Sequence, residues 1–201
     1  MPLNEALRRI RDGEAAEAIG RAAIAPQLAD PNGPAGKAAC SAGCAFCCIL
    51  TGEDGGTITQ IEARRLHEAL MAFKGQPDGR QWTQKGCPSL DPETRLCRVY
   101  EARPMICRSY VSSDVSACET IAGGMPAEGT GVLGAQTLYL AVLTLSRNLL
   151  KGITRVPTFS LARVAAGAVD GDSLEDALSE AQHSPRELDD EIARQAVVLK
   201  R

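Results

Sequence analysis

Apolar residues recur every three to four positions along several stretches of this chain, and the first such run covers residues 3–29. Leu3, Leu7 and Ile10 fall on one helical face, and Ala-rich sequence carries the run on to Ala29. Asp12-Gly13 interrupts it. Glycine costs about 1 kcal/mol against alanine inside a helix, so two helices are expected rather than one. Asp30-Pro31-Asn32-Gly33-Pro34-Ala35-Gly36 then forbids regular structure and reads as a linker. The helical period returns at Thr59-Gln60-Ile61-Glu62, a capping-box pattern that follows a turn over residues 52–56. That helix should run to about Phe73, with Ile61, Leu66, Ala69, Leu70 and Phe73 as its apolar stripe. Residues 75–86 are broken by Gly and Pro, 87–93 read as a loop or hairpin-like turn, and 96–103 as a short helix ended by Pro104. A Gly-rich connector over 120–131 leads to a helix over 134–151. Its Leu138, Leu140, Ala141, Val142, Leu143, Leu145 and Leu149 make it apolar nearly all round, which predicts a buried core helix stopped by Gly152. Two more helices should begin at Ser173 and at Ser184-Pro185-Arg186-Glu187.

Composition narrows this only slightly. Hydrophobic residues make up 44% and charged residues 23%, ordinary globular values, but aromatics are only 3%, so Leu, Ile, Val and Ala must supply the core. A net charge of −3 gives no electrostatic case for nucleic acid or an anionic membrane as partner. Trp82 and three tyrosines do not form a base-stacking platform. The first nine residues carry charge and no apolar leader, and the greasiest stretch, 131–145, falls short of the ~20 residues that span a bilayer. The expectation is a cytoplasmic protein in a reducing compartment.

Cysteine changes the picture. Cys40, Cys44, Cys47 and Cys48 fall within nine residues, followed by Cys87, Cys97, Cys107 and Cys118, and all eight lie between 40 and 118. Cys44-Ala45-Phe46-Cys47 has the C-x2-C spacing of a metal knuckle, whose tight turn aims two sulfurs at one ion. Cys40, Cys44 and Cys48 stand four apart and would share a face on a helical turn. The adjacent pair Cys47-Cys48 diverges on any regular backbone, which suits two metals, a polynuclear cluster, or one ligand beside one packed thiol. Eight thiols fill two sites of four, or one four-iron cluster with spares. Lys85, Arg95, Arg98, Arg103 and Arg108, set against Asp91, Glu93 and Glu101, would offset a negative thiolate site. Disulfides and a Cys44/Cys47 redox couple are the alternatives. The first wants an oxidising compartment, and the second lacks a surrounding βαβ pattern. Metal binding by all eight cysteines is the expected chemistry. The fold expected is mainly α, with helices packed around an irregular, cysteine-rich metal-binding middle. Its parts would be a helical segment over 1–30, the cysteine region over 37–120 and a helical region over 131–201, together one compact domain.

The cysteine order resembles a known family. Cys40-x3-Cys44-x2-Cys47-Cys48, then Lys85-Gly86-Cys87-Pro88-Ser89-Leu90, Cys97-Arg98-Val99-Tyr100-Glu101-Ala102-Arg103-Pro104 and Cys107-Arg108, with Cys118 last, is similar to the CxxCxxCC, or YkgJ-like, zinc- or iron-chelating family. The first gap is three residues here rather than the family's two. The resemblance covers about residues 37–120. It implies chelation of Zn2+ or iron, and longer relatives, the flagellin lysine methylases, imply an iron–sulfur cluster and an enzyme as the alternative. No stretch outside the motif reads as a cofactor-binding domain. His67, toward the flank of its helix, and His183, before a cap, are expected to be exposed or capping rather than ligating. Ser41, Ser89 and Ser109 lack a His/Asp arrangement, and Gly55-Gly56 and Gly123-Gly124 lack the spacing of a phosphate loop. Tyr100, Arg103 and Pro104 are read as the turn that positions Cys97 and Cys107.

Overall fold

A computed structural model describes residues 1–50, 54–128 and 130–198. The turn expected over 52–56 therefore lies partly outside the described residues. Helices dominate: α1 (Leu3–Arg11), α2 (Glu14–Ala29), α3 (Gln60–Leu70), α4 (Gly79–Trp82), α5 (Met105–Ser109), α6 (Val115–Ala122), α7 (Gly134–Leu149), α8 (Leu161–Asp170), α9 (Leu174–Ala181) and α10 (Glu187–Val198). Two small antiparallel pairings complete the regular structure. Strand β1 (Thr57–Thr59) pairs with β4 (Thr158–Ser160), and β2 (Tyr110–Ser112) pairs with β3 (Thr130–Val132). The fold class is mainly α, as the apolar periodicity implies.

The break between α1 and α2 falls at Gly13, as the sequence predicts, and the reason extends beyond helix propensity. Gly13 has φ +87°, and a Cβ there would stand 2.4 Å from Thr59 Cβ. The chain can turn here only with glycine, which brings Asp12 against the start of α3, where its carbonyl accepts from Ile61 N–H. At that start the Thr59 hydroxyl accepts from Glu62 N–H, and the Glu62 carboxylate accepts from Thr59 N–H, the reciprocal capping box.

Two apolar cores result. One gathers Ile58, Leu66 and Leu70 from β1 and α3 with Phe159, Val164 and Ala168 from β4 and α8, and the half-buried Cys48, Cys97 and Cys107 pack against it. The other joins Ala16 and Ile24 of α2 to Tyr139, Leu140 and Leu143 of α7, with Met105 and Leu188. Helices α2 and α7 run antiparallel. Gln27 Oε1 near the end of α2 accepts from Ala135 N–H at the start of α7, and Gly20 lies against Tyr139. A buried Leu or Ile contributes about 1.5–3 kcal/mol, so cores of this size suffice where aromatics are few.

Three expectations are corrected. Helix α7 is not a wholly buried helix: Leu138, Leu145 and Leu149 are exposed, because the core shared with α2 claims only one side of it. The inner face of α3 includes Glu62 and His67. His67 is 4% exposed, its Nε2 lying 3.0 Å from the Asp172 carbonyl, because α8 and the loop after it cover that flank. Pro104 begins a helix rather than ending one. Residues Tyr100–Ala102 form a single 3-10 turn, and Pro104 then serves as N-cap of α5. Helix α8 has an apolar stripe of Leu161, Val164, Ala165, Ala168 and Val169 that is legible in the sequence, although no helix is among the expectations there. The four strands and α4, at three or four residues each, are too short for periodicity to reveal.

Candidate metal centre

The first four thiols do not lie on one helical face. Gly43 (φ +77°) and Ala45 (φ +54°) take left-handed backbone, so the chain twists through a turn at Cys44 and forms only a 3-10 turn over Phe46–Cys48. Cys40 is exposed, its Sγ lying 3.9 Å from the Ser112 carbonyl. Cys47 and Cys48 diverge as adjacent residues must, yet their Sγ atoms lie 4.0 Å apart.

The downstream thiols are brought in by backbone pairing. Leu50 N–H donates to the Lys85 carbonyl and Cys87 N–H to the Cys48 carbonyl, so the two cysteine segments run side by side through an Ile49–Gly86 bridge. The approach is close. A Cβ on Gly86 would sit 2.0 Å from the Gly79 carbonyl oxygen, and one on Gly79 would sit 2.2 Å from the Cys87 carbonyl oxygen. Leu90 bridges to Cys97, and Arg98 N–H donates to the Ser89 carbonyl, which closes the hairpin-like turn expected over 87–93. Cys107 rides on α5, and Cys118 is buried on α6. The main-chain N–H groups of Ser89 and Val99, two residues on, pull the Cys87 and Cys97 thiols down against the stronger effect of burial.

One cavity of about 540 Å³ is walled by Cys47, Cys48, Cys87, Cys97, Cys107 and Cys118. Cys40 and Cys44 do not line it, though both add to the upward shift of Cys118. Among the described residues no three Cys, His, Asp or Glu side chains converge closely enough to hold an ion. The thiols therefore frame a space, and sharing one ion requires their side chains to turn inward.

Burial and neighbouring thiols set the order in which these cysteines ionise. Burial pushes Cys87 up to about 11 and Cys107 well above an ordinary thiol, with neighbouring thiols adding to both. Burial also raises Cys97 and Cys118. The hydrogen bond from Cys48 draws Cys47 down to about 7, and the proton so shared is held by Cys48, whose own pKa rises. Without a counter-charge only one thiol of the group ionises readily at neutral pH. A bound metal ion supplies that charge and reverses the order.

Of the five cations expected to serve the thiols, Arg103 lines the cavity and lowers Cys47, Cys97 and Cys107, and Arg98 lowers Cys97 more weakly. Arg103 also stacks 3.5 Å from the Tyr100 ring centroid and donates to the Tyr100 carbonyl, which holds the turn between Cys97 and Cys107. Arg98 lies over Phe73 and donates to the Pro77 and Pro88 carbonyls, and Arg108 donates to the carbonyls of Glu101 and Arg103. These two fix loops around the thiols.

Three features of the site are not visible in the cysteine pattern. Glu62 is fully buried and accepts from Tyr139 Oη at 2.6 Å and from Met105 N–H at 2.8 Å, so it seats the helix that carries Cys107. Asp54 forms part of the cavity wall and pairs with His183 Nε2 at 2.9 Å, so His183 is neither exposed nor a cap. Glu187, Glu191 and Arg194 of α10 form the far wall. Only Glu62, as the end of a capping box, carried a local signal.

A cavity walled by thiols, with cationic side chains around it, is the setting in which the family comparison falls. The CxxCxxCC family model, described as "Putative zinc- or iron-chelating domain", matches residues 39–124, so the resemblance drawn from the cysteine order holds over that segment. This supports metal binding as the chemistry of the domain. Neither a curated protein nor a solved structure matches the chain. No helix among the described residues is long and apolar enough to cross a membrane.

Proposed function

We propose that this chain is a cytoplasmic thiolate protein that holds zinc or iron through all eight cysteines, in two unequal sets. The inner set is Cys47, Cys48, Cys87, Cys97, Cys107 and Cys118, which wall the cavity, and the outer set is Cys40 and Cys44, which lie outside it. The observation that carries the reading is that six of the eight cysteines, contributed by segments far apart in sequence, wall one cavity. Cysteines that served only as small apolar filler would have no reason to converge from four segments around a common space. Thiolate ligation by the inner set would tie residues 37–120 to the helices on either side, with the whole chain as one unit.

The alternative, an iron–sulfur enzyme or redox protein, is favoured by one feature. The cavity extends past the thiols along Leu50, Ile106, Ile121 and Leu161, which leaves an apolar chamber beside the metal positions. Protein purified without oxygen separates the readings by elemental analysis and visible absorption. Stoichiometric zinc in colourless protein supports chelation. Iron with acid-labile sulfide and a broad visible band supports the cluster. Metal-free protein with an unchanged melting temperature overturns both.

A further inference from the structure

We infer that the outward face of α7 is the interface of a symmetric dimer of this chain. On that face Leu138 is 43%, Leu145 66% and Leu149 66% exposed, and Ile153, just past the helix end, is 64% exposed. Ala141 is also exposed there, and Val142 is half-buried. These positions follow each other at three- and four-residue steps, so they form a stripe along one side of the helix. The opposite side packs into the α2 core.

The occupant follows from chemistry and symmetry. The one charged residue of α7, Arg147, is turned away to the Pro185 carbonyl at 2.7 Å and Asp189 at 3.8 Å. Within the helix the stripe carries no charged side chain, and the nearest along the chain is the exposed Lys151 just past the helix end. An acidic or basic partner therefore finds little to pair with, and the stripe matches a surface like itself. An antiparallel two-fold pairing centred on Leu145 sets Leu145 against its own copy, Ala141 against the second copy's Leu149, and Leu138 against the second copy's Ile153. Small then faces large, which lets two helices approach within the ~8–10 Å of tight packing. The exposed apolar surface is on the order of 500 Å² per copy. That is the upper end for a monomer, and two copies reach the ~1,000 Å² floor for a specific interface. The inference does not depend on metal at the thiols.

Sedimentation equilibrium of the full chain at ~100 µM under reducing conditions tests it. The wild type is expected at twice the 21.2 kDa chain mass, and Leu145→Glu at one chain mass with unchanged circular dichroism. Because Leu145 is exposed, the substitution leaves the fold intact. Ala141→Leu, which fills the space facing Leu149, should also weaken association. A monomeric wild type overturns the inference, and so does a Leu145→Glu variant as dimeric as the wild type. A monomer that instead binds neutral phosphatidylcholine vesicles through Leu145 would assign the face to lipid and overturn it as well.

Discussion

Tyr139→Phe removes a single oxygen from the centre of the molecule, and its effect can be worked out from the structure. Tyr139 is 0% exposed, and its hydroxyl donates to Glu62 Oε2 at 2.6 Å. The carboxylate also accepts from Thr59 N–H, Thr59 Oγ1 and Met105 N–H. Four donors directed at one carboxyl group suit the ionised form, which only accepts. A hydrogen bond to a charged group contributes about 1.5–3 kcal/mol, and a chain of this length shifts its Tm by about 2–4 °C per kcal/mol, so the variant should melt about 3–12 °C lower. The pH dependence follows from Glu62, whose pKa is raised by burial against the pull of its hydrogen bonds. A raised carboxyl favours the folded state below the unfolded pKa, and that contribution is lost as pH rises through the folded pKa. Losing the tyrosine donor raises the folded pKa further, so the deficit of Tyr139→Phe should be larger at pH 8 than at pH 5. Urea unfolding at the two pH values, in wild-type and Glu62→Gln backgrounds, measures it. A loss under ~0.5 kcal/mol, or the same loss when Glu62 is already glutamine, would refute the argument that the hydroxyl acts through Glu62.

Gly86→Ala places a Cβ 2.0 Å from the Gly79 carbonyl oxygen, with backbone on both sides unable to yield, and should cost about 3 kcal/mol or more in urea unfolding. Gly131→Ala, with open space around it, should cost far less and serves as the control. In metal-free, reduced protein, iodoacetamide at pH 7 followed by peptide mapping should label Cys47 ahead of the buried Cys87 and the half-buried Cys107. The thiolate fraction of Cys47 is half at about pH 7, so its rate should climb between pH 6 and 8, whereas uniform labelling would contradict the stated charge order. Cys107→Ser should abolish the metal of the inner set and lower thermal stability, whereas Cys40→Ser, at the exposed edge, should leave that metal in place. Equal metal loss in both would show that the two sets are one site.

Local chemistry determined a large part of this protein from sequence alone. The break at Gly13, the capping box at Thr59 and Glu62, the span of α7 and the start of α9 at Ser173 each depend on residues within a few positions of one another. The cysteine order likewise sufficed to recognise the domain, because its spacings are set by turns that the local backbone must make. What the sequence could not decide depends on which distant segment arrives. Cys44 and Cys47 look like a pair by spacing, yet left-handed backbone at Gly43 and Ala45 sends only Cys47 to the cavity, and the pairing of residues 48–50 with 85–87 supplies the thiols beside it. The same holds for Leu138 and Leu145, whose apolarity predicts burial, while only the position of the core shared with α2 reveals that they face outward. His67 and His183 show the converse: polar residues expected at the surface were covered by chain more than a hundred residues away in sequence. Hydrophobicity and turn propensity are properties of a residue and its neighbours, but burial and ligand grouping belong to the packed whole.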